Sequence, residues 1–152
     1  NVYERQRKAN EIRNRLEQEL AKAHIEAKYA WDNGATEEQM KNVLALIRQA
    51  QWRWDFGVAS HGGAFHAPHE IQRILSHGLD RAMQARLAVS KVLAKNGFTG
   101  DVPMPDISTK GKAQQYIGLD IDAEKAAKER FLKTTVPAWL EKAKSNGRLA
   151  QK

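Results

Sequence analysis

The stretch PHEIQRILSHGLDRAMQARLAVSKVLAKNG, residues 68–97, decides the fold of this chain. Its apolar side chains recur at intervals of three and four, the spacing that places them on one face of a helix: Ile71, Ile74, Leu75, Leu79, Ala82, Leu87, Val89, Val92 and Leu93. Pro68 suits the first turn of a helix, where its missing N–H is not needed, and Asn96-Gly97 marks the end. The pattern predicts the longest uninterrupted helix of the chain.

Two further long helices are predicted before this stretch. Apolar residues at helical spacing cover residues from about 4 to 31, and Asn33-Gly34 ends that run. Thr36 and Gln39 form a capping-box pattern, which predicts the start of a second helix. This helix should end near residues 61–63, because two successive glycines disfavour a helix by about 1 kcal/mol each. A short turn then leads into the longest helix.

A loop is predicted after the longest helix. Residues 97–111 contain two prolines and several glycines, a composition typical of an extended surface loop. Ser108 or Thr109 is expected to cap a short helical turn that ends at Tyr116.

A fourth long helix is predicted at the C-terminal end. It should begin near Asp120 or Asp122 and end at residues 145–147. Pro137 lies inside it and removes one backbone hydrogen bond, so a kink or break is expected at residues 134–136.

These patterns together predict an all-α fold. Long antiparallel helices joined by short turns would form a bundle-like single domain over residues 1–152, with one Pro- and Gly-containing loop at about 97–111. No alternating β pattern of useful length competes with this interpretation. A helix of about 28 residues runs roughly 40 Å, longer than a domain of this size shelters, so an apolar face should remain for a partner.

The composition excludes several classes of chemistry. The chain has 152 residues, 41% hydrophobic and 28% charged, which is typical of a folded protein, and it has no cysteine. Disulfides, thiolate metal centres, cysteine nucleophiles and covalent haem attachment by this chain are therefore excluded. The longest purely apolar run, residues 43–47, is far too short for an integral membrane segment.

Histidines give the strongest indication of a site. His61, His66, His69 and His77 lie within residues 61–77, around the predicted turn. Three interpretations stay open from the spacing: exposed or hydrogen-bonded side chains, a zinc-like site from His66, His69 and His77, or ligation of a haem iron. His77 falls about two turns into the longest helix, which makes the three-histidine site the weakest of these geometrically.

The aromatic residues before the turn cannot all face one core. Trp52 and Trp54 point about 200° apart on a helix, so one of them must meet a second apolar body. That body is either another helix of the same fold, or a ring-like cofactor or partner subunit.

No catalytic residue is predicted. The carboxylates at Glu37-Glu38 and at Asp120 and Asp122 fit the first turns of helices, where they favour the helix dipole. Residues 110–152 hold 10 Lys and Arg against 5 Asp and Glu, but the two signs are interleaved as on an ordinary solvated helix. A nucleic-acid partner is therefore not expected.

Several strings of the sequence resemble a known family. They are AHIEAK, GAT, IRQAQWRWD, ASHG, HAP, PDISTK, KAQQ and IGL, at residues 23–28, 34–36, 47–55, 59–62, 66–68, 105–110, 112–115 and 117–119. In this order they resemble the C-terminal helical region of the ammonia-forming, pentahaem cytochrome c nitrite reductases, over nearly the whole chain.

The resemblance implies one ligand residue. The family's histidine immediately before Ala-Pro is the distal axial ligand of an electron-transferring haem, and here that position is His66. His61 matches a family histidine that is not an iron ligand, and Ala64 stands where some relatives carry a further histidine. The resemblance also implies a periplasmic oxidoreductase that reduces nitrite to ammonium, with haem c, with calcium near the active site, with a redox donor, and with a homodimer formed through the long helices.

The missing cysteines limit what this chain can do in such an enzyme. His66 could bind the iron only of a haem that is attached elsewhere, and the family's catalytic haem and calcium ligands have no counterpart here. The sequence therefore predicts a C-terminal fragment, inactive alone, whose partner is the haem-bearing N-terminal part. The alternative is an autonomous helical protein-interaction module without redox function.

Overall fold

The computed structural model describes residues 1–149 of the chain. All regular elements among these residues are helices, so the prediction of an all-α fold is confirmed. They are α1 (Val2–Asp32), α2 (Glu37–Ala59), α3 (Gly63–His66), α4 (Pro68–Lys95), α5 (Lys110–Tyr116) and α6 (Ile121–Ser145).

The chain divides into two compact units, the first of which is Asn1–Met104. This unit contains α1 to α4, and its three long helices pack against one another in every pairing. Short connections make successive long helices antiparallel, as the sequence predicts. The second unit begins at Pro105 and contains α5 and α6. That residues 1–152 act as a single domain stays a prediction.

Local sequence signals set the starts of the first two helices. Thr36 and Gln39 form the predicted capping box: the Thr36 N–H donates to Gln39 Oε1 at 2.8 Å, and the Gln39 N–H donates to Thr36 Oγ1 at 3.3 Å. The first helix begins at Val2, earlier than predicted, because the Asn1 side chain accepts a hydrogen bond from the Tyr3 N–H at 2.9 Å. With 31 residues it is longer than the 28 residues of α4, so the prediction that α4 is the longest helix is wrong.

The core of the first unit lies between its three long helices. Its largest fully buried side chains are Leu16, Met40, Val43, Leu75 and Val89. Gly78 lies where α4 approaches both other long helices. A Cβ at Gly78 would stand 2.8 Å from Leu16 Cδ2 of α1 and 3.1 Å from Arg53 Cβ of α2. A glycine is therefore needed for this close packing, which fixes the position of α4 along its axis relative to α1 and α2.

A charged cluster also joins α1 to α4. Arg86 Nε and Nη2 donate to the Glu26 carboxylate at 2.7 to 3.1 Å, and Arg86 Nη1 donates to Glu19 at 2.5 Å. Glu26 is only 7% exposed, so its charge depends on this guanidinium. The hydrogen bonds that Arg86 donates to the Glu26 carboxylate raise the pKa of Arg86 above its usual range. Burial raises the pKa of Glu19, but hydrogen bonds from Lys22 and Arg86 outweigh burial and leave this pKa below its ordinary value.

The second unit corrects one prediction. Thr109 caps α5 through the Lys112 N–H at 3.3 Å, and Asp120 caps α6, as expected. Of the kink or break expected at residues 134–136, the break does not occur, because α6 continues through Pro137, and the kink stays a prediction. A proline removes only one hydrogen bond from the ladder, and the turns on either side keep the rest.

The Arg86 cluster gives a prediction about stability. Changing Arg86→Met leaves the Glu26 carboxylate buried without its partner, which we expect to lower the free energy of unfolding by about 3 kcal/mol. Arg73→Met is the matched control, because its ion pair with Glu70 is exposed on both sides and should contribute little to stability. Urea denaturation followed by circular dichroism measures both changes. Equal losses in the two variants would contradict a structural role for the cluster.

The stabilising contribution of the same cluster should decrease as the pH falls. Because the pKa of Glu19 is lowered from 4.5 in the folded chain, its stabilising contribution is fully present above that pH. The contribution is lost as the pH falls through the lower folded value. The difference in the free energy of unfolding between wild type and Arg86→Met should therefore become smaller as the pH falls below 4.5.

Candidate functional site

The candidate site lies in the turn between α2 and α4. Gly62 has a φ of +80°, a left-handed backbone conformation that glycine adopts without strain. Its carbonyl accepts hydrogen bonds from the N–H groups of Phe65 and His66, both at 2.9 Å, which makes residues 63–66 the single turn of α3. The sequence predicts a turn here but not this short helix.

His66 is the last residue of α3 and is exposed. Its imidazole meets the Phe65 ring edge to face, with 4.8 Å between the ring centroids and an interplanar angle of 83°. On another side lies Gly62: a Cβ built there would stand 3.4 Å from His66 Cδ2. Pro68, which is buried at the start of α4, fixes the chain immediately after the site. Packing against Phe65 thus orients a side chain that solvent can reach, and Gly62 leaves open space beside it.

The other histidines of the segment do not join His66. His61 and His69 are exposed, and His77 is half-buried, with its Nε2 accepting a hydrogen bond from Arg81 Nε at 3.2 Å. Within residues 1–149 no three His, Asp or Glu side chains come together in a group that could hold a metal ion. The zinc-like site from His66, His69 and His77 is therefore not formed. The assignment of His66 as an iron ligand stays a prediction.

The two tryptophans lie on opposite sides of α2, as the sequence predicts. Trp54 packs against the core of the first unit, and its Nε1 is buried without a hydrogen-bond partner among the described residues. Trp52 is 61% exposed and stacks on Phe56, with 5.7 Å between ring centroids and an interplanar angle of 23°. Phe65 is also exposed. The last turns of α2 and the following turn therefore carry exposed aromatic surface, and the second apolar body predicted for Trp52 is not present among the described residues.

The carboxylates near helix starts lie in first turns or, for Asp120, at the cap. Glu37 and Glu38 lie in the first turn of α2, and Asp120 accepts hydrogen bonds from the N–H groups of Asp122 and Ala123 at 3.1 and 3.0 Å. Both placements match the helix-dipole interpretation of these residues.

The chemistry available at the candidate site around His66 is the donation of a lone pair by one imidazole nitrogen.

Sequence reasoning missed two features of the molecule. The Arg86 and Glu26 pair joins residues 60 positions apart, and only the glutamates' position within the apolar stripe of α1 could have indicated it. The sequence predicts Gly62 as a residue that ends a helix and does not show that a Cβ there would stand 3.4 Å from His66 Cδ2. None of the helices in the described part of the chain combines the length and apolar composition needed to cross a bilayer.

Comparison with known proteins shows close similarity to one group. The family model described as cytochrome c552 matches residues 1–148. A cytochrome c-552 from Bacteroides thetaiotaomicron is 90% identical over all 152 residues, which make up 31% of that protein. A cytochrome c-552 from Bacteroides fragilis is 78% identical over 151 residues, and one from Porphyromonas gingivalis is 66% identical over 149 residues. In each case the match covers at least 98% of this chain and 30 or 31% of the relative.

This finding corrects the assignment made from the sequence strings. The matching family is cytochrome c552, so the prediction that the chain is the C-terminal helical region of a pentahaem nitrite reductase is wrong as a statement of family. The chain spans about a third of the length of the relatives it matches.

Proposed function

This chain belongs to the cytochrome c552 family, and from that premise we propose that it supplies an axial histidine, His66, to the iron of a haem. The proposal also assigns part of the apolar cover of that haem to the aromatic surface around the turn. The observation that carries it is the combination of an exposed, oriented imidazole with exposed aromatic rings in one short segment.

The residues of this chain fit a haem that is attached elsewhere. A haem c is held by two thioethers from cysteines, and the sequence has none, so the chain does not anchor the macrocycle. An axial ligand needs an accessible and oriented imidazole, and His66 is exposed and packed edge to face against Phe65. Gly62, which has no side chain, leaves space beside the ring that a Cβ would fill.

Each residue of the site has a physical task in this proposal. His66 donates a nitrogen lone pair, and its edge-to-face contact with Phe65 restricts rotation of the ring. Trp52 and Phe56 exclude water from the apolar body that they meet, which lowers the local dielectric constant. A bound haem supplies one-electron chemistry at its iron, tuned by the axial ligand and by burial.

The ligand assignment is testable on this chain alone. The probe is a haem c peptide of the microperoxidase type, which brings one histidine ligand and leaves the second axial position for an added imidazole. We expect wild-type chain to convert the peptide to a low-spin, bis-histidine absorption spectrum, and His66→Ala to lose this conversion. His69→Ala is the matched control, because His69 is exposed and lies three residues away.

Two outcomes would contradict this assignment. If His66→Ala and His69→Ala convert the peptide equally well, the ligand is not His66. If wild type causes no conversion at all, the chain is better described as a helical interaction module without a redox role.

For the whole haem-bearing protein we propose the reduction of nitrite to ammonium in the periplasm. Membership of the cytochrome c552 family and the cytochrome names of the relatives support a redox function for that protein, and nitrite as its substrate is our proposal. No group of three metal-ligating side chains occurs in residues 1–149, so we assign the calcium implied by the resemblance to residues outside them. An external redox donor and the haem-bearing part of the protein are the proposed partners.

This reaction gives its own prediction. In the haem-loaded protein that contains this chain, nitrite should oxidise reduced viologen dye and ammonium should accumulate. His66→Ala should slow turnover while the total haem content stays unchanged, because the substitution removes an iron ligand and no attachment site. Dye oxidation that does not depend on nitrite would contradict the proposal.

We also propose a homodimer through the long helices. No residue of α6 is buried. Four large apolar side chains along this helix are between 42 and 60% exposed, namely Phe131, Leu132, Trp139 and Leu140. Phe131 and Trp139 meet edge to face at 5.4 Å, which makes a preformed aromatic surface.

Sedimentation velocity tests the dimer. We expect wild type to sediment as a dimer at micromolar concentration and Trp139→Glu as a monomer, because a charge in an apolar interface is poorly solvated. Ile117→Glu, at a 68% exposed residue outside α6, should leave the association unchanged. A monomeric wild type would contradict the proposal.

A further inference from the structure

We infer that Gly62 is a positioning residue, which keeps one edge of the His66 ring free for a broad planar group. This inference rests on the proposed function, because it concerns how that ligand meets the haem. A Cβ built at Gly62 has two atoms of the described chain within 4 Å, His66 Cδ2 at 3.4 Å and His66 Nε2 at 3.9 Å. Both atoms belong to the edge of the imidazole that carries the lone pair of Nε2.

The two distances place the missing methyl group beside the bond that Nε2 would make. No other ring atom of His66 is within 4 Å of the Cβ position, so this position lies toward the Cδ2–Nε2 edge and not over the centre of the ring. A metal–nitrogen bond is about 2 Å long, so a flat macrocycle bound at Nε2 would come closer to that nitrogen than the 3.9 Å of the Cβ. A methyl group at residue 62 would therefore occupy space that the rim of the macrocycle requires.

Backbone conformation alone does not explain the choice of glycine at the site. Gly34 has a φ of +81° at the end of α1, almost equal to the +80° of Gly62. A Cβ at Gly34 would have no atom of the described chain within 4 Å. The two glycines therefore share a left-handed backbone and differ in having a histidine edge beside them.

Phe65 completes the arrangement on another side of the ring. It contacts His66 edge to face, and its own N–H donates to the Gly62 carbonyl at 2.9 Å. The same short turn thus provides one aromatic contact that holds the imidazole and one residue without a side chain that leaves its metal-binding edge open. A small ion would not need this second feature, whereas a porphyrin would.

The test compares Gly62→Ala with Gly34→Ala in this chain. Both substitutions place a Cβ on a left-handed backbone, so both should lower the thermal unfolding temperature to a similar extent. Gly62→Ala should weaken binding of the haem c peptide by at least about tenfold, equivalent to about 1.4 kcal/mol, and Gly34→Ala should leave it unchanged. Modification of His66 by diethyl pyrocarbonate, a small reagent, should proceed in both variants when followed by peptide mass spectrometry.

Asparagine variants guard against failure to fold. Asparagine tolerates the left-handed conformation better than alanine, so Gly62→Asn and Gly34→Asn provide a second matched pair. Only Gly62→Asn should lose affinity for the peptide.

Each outcome separates the two proposals. If wild type does not bind the haem peptide, the proposed function fails before Gly62 is considered. If wild type binds through His66 and the Gly62 variants bind as tightly as the Gly34 variants, the inference about Gly62 is overturned while the ligand assignment stands. A loss of diethyl pyrocarbonate reactivity in Gly62→Ala would also overturn it, because that would show a displaced His66.

Discussion

The reversal of the chain between α2 and α4 is the constraint on which the rest depends. It has to occur within residues 60–67 while the two helices stay so closely packed that a Cβ added at Gly57 would stand only 2.5 Å from Leu75 Cδ2. Gly62 makes the reversal possible with its left-handed backbone, and its carbonyl then starts α3. The last residue of this single turn is His66. The position of the histidine is therefore a direct consequence of how the two helices are connected.

The packing of the three long helices fixes the position of this turn. Leu16, Met40 and Leu75 fill the centre of the first unit, and Gly78 lets α4 approach both of its neighbours. Arg86 joins α4 to α1 through Glu19 and Glu26, at a point in the bundle distant in sequence from the turn. A ligand that must present one nitrogen at a fixed angle requires rigidly packed helices around it, because a shift of α4 along its axis would move the imidazole by the same distance.

Much of the fold could be predicted from local patterns, and the exceptions have physical reasons. The capping box at Thr36 and Gln39 and the opposite directions of Trp52 and Trp54 depend only on helix geometry, so the sequence predicts them correctly. The Arg86 pair depends on which helices become neighbours, and α6 continues through Pro137 because its adjoining turns outweigh one lost bond. For the site, the sequence indicates His66 through a resemblance, and Gly62 only as a residue that ends a helix. The space that Gly62 leaves beside the His66 ring becomes apparent only in the folded turn.

Pulsed electron paramagnetic resonance tests the central claim, ligation of iron by the His66 imidazole, most directly. The chain is labelled with nitrogen-15 in its histidines and mixed with an unlabelled ferric haem c peptide that has one histidine of its own. The account predicts a nitrogen-15 hyperfine coupling from one directly bound imidazole of the chain, and its disappearance when His66 is replaced. A spectrum that contains nitrogen-14 couplings alone, from the peptide's own histidine and porphyrin, would contradict the account.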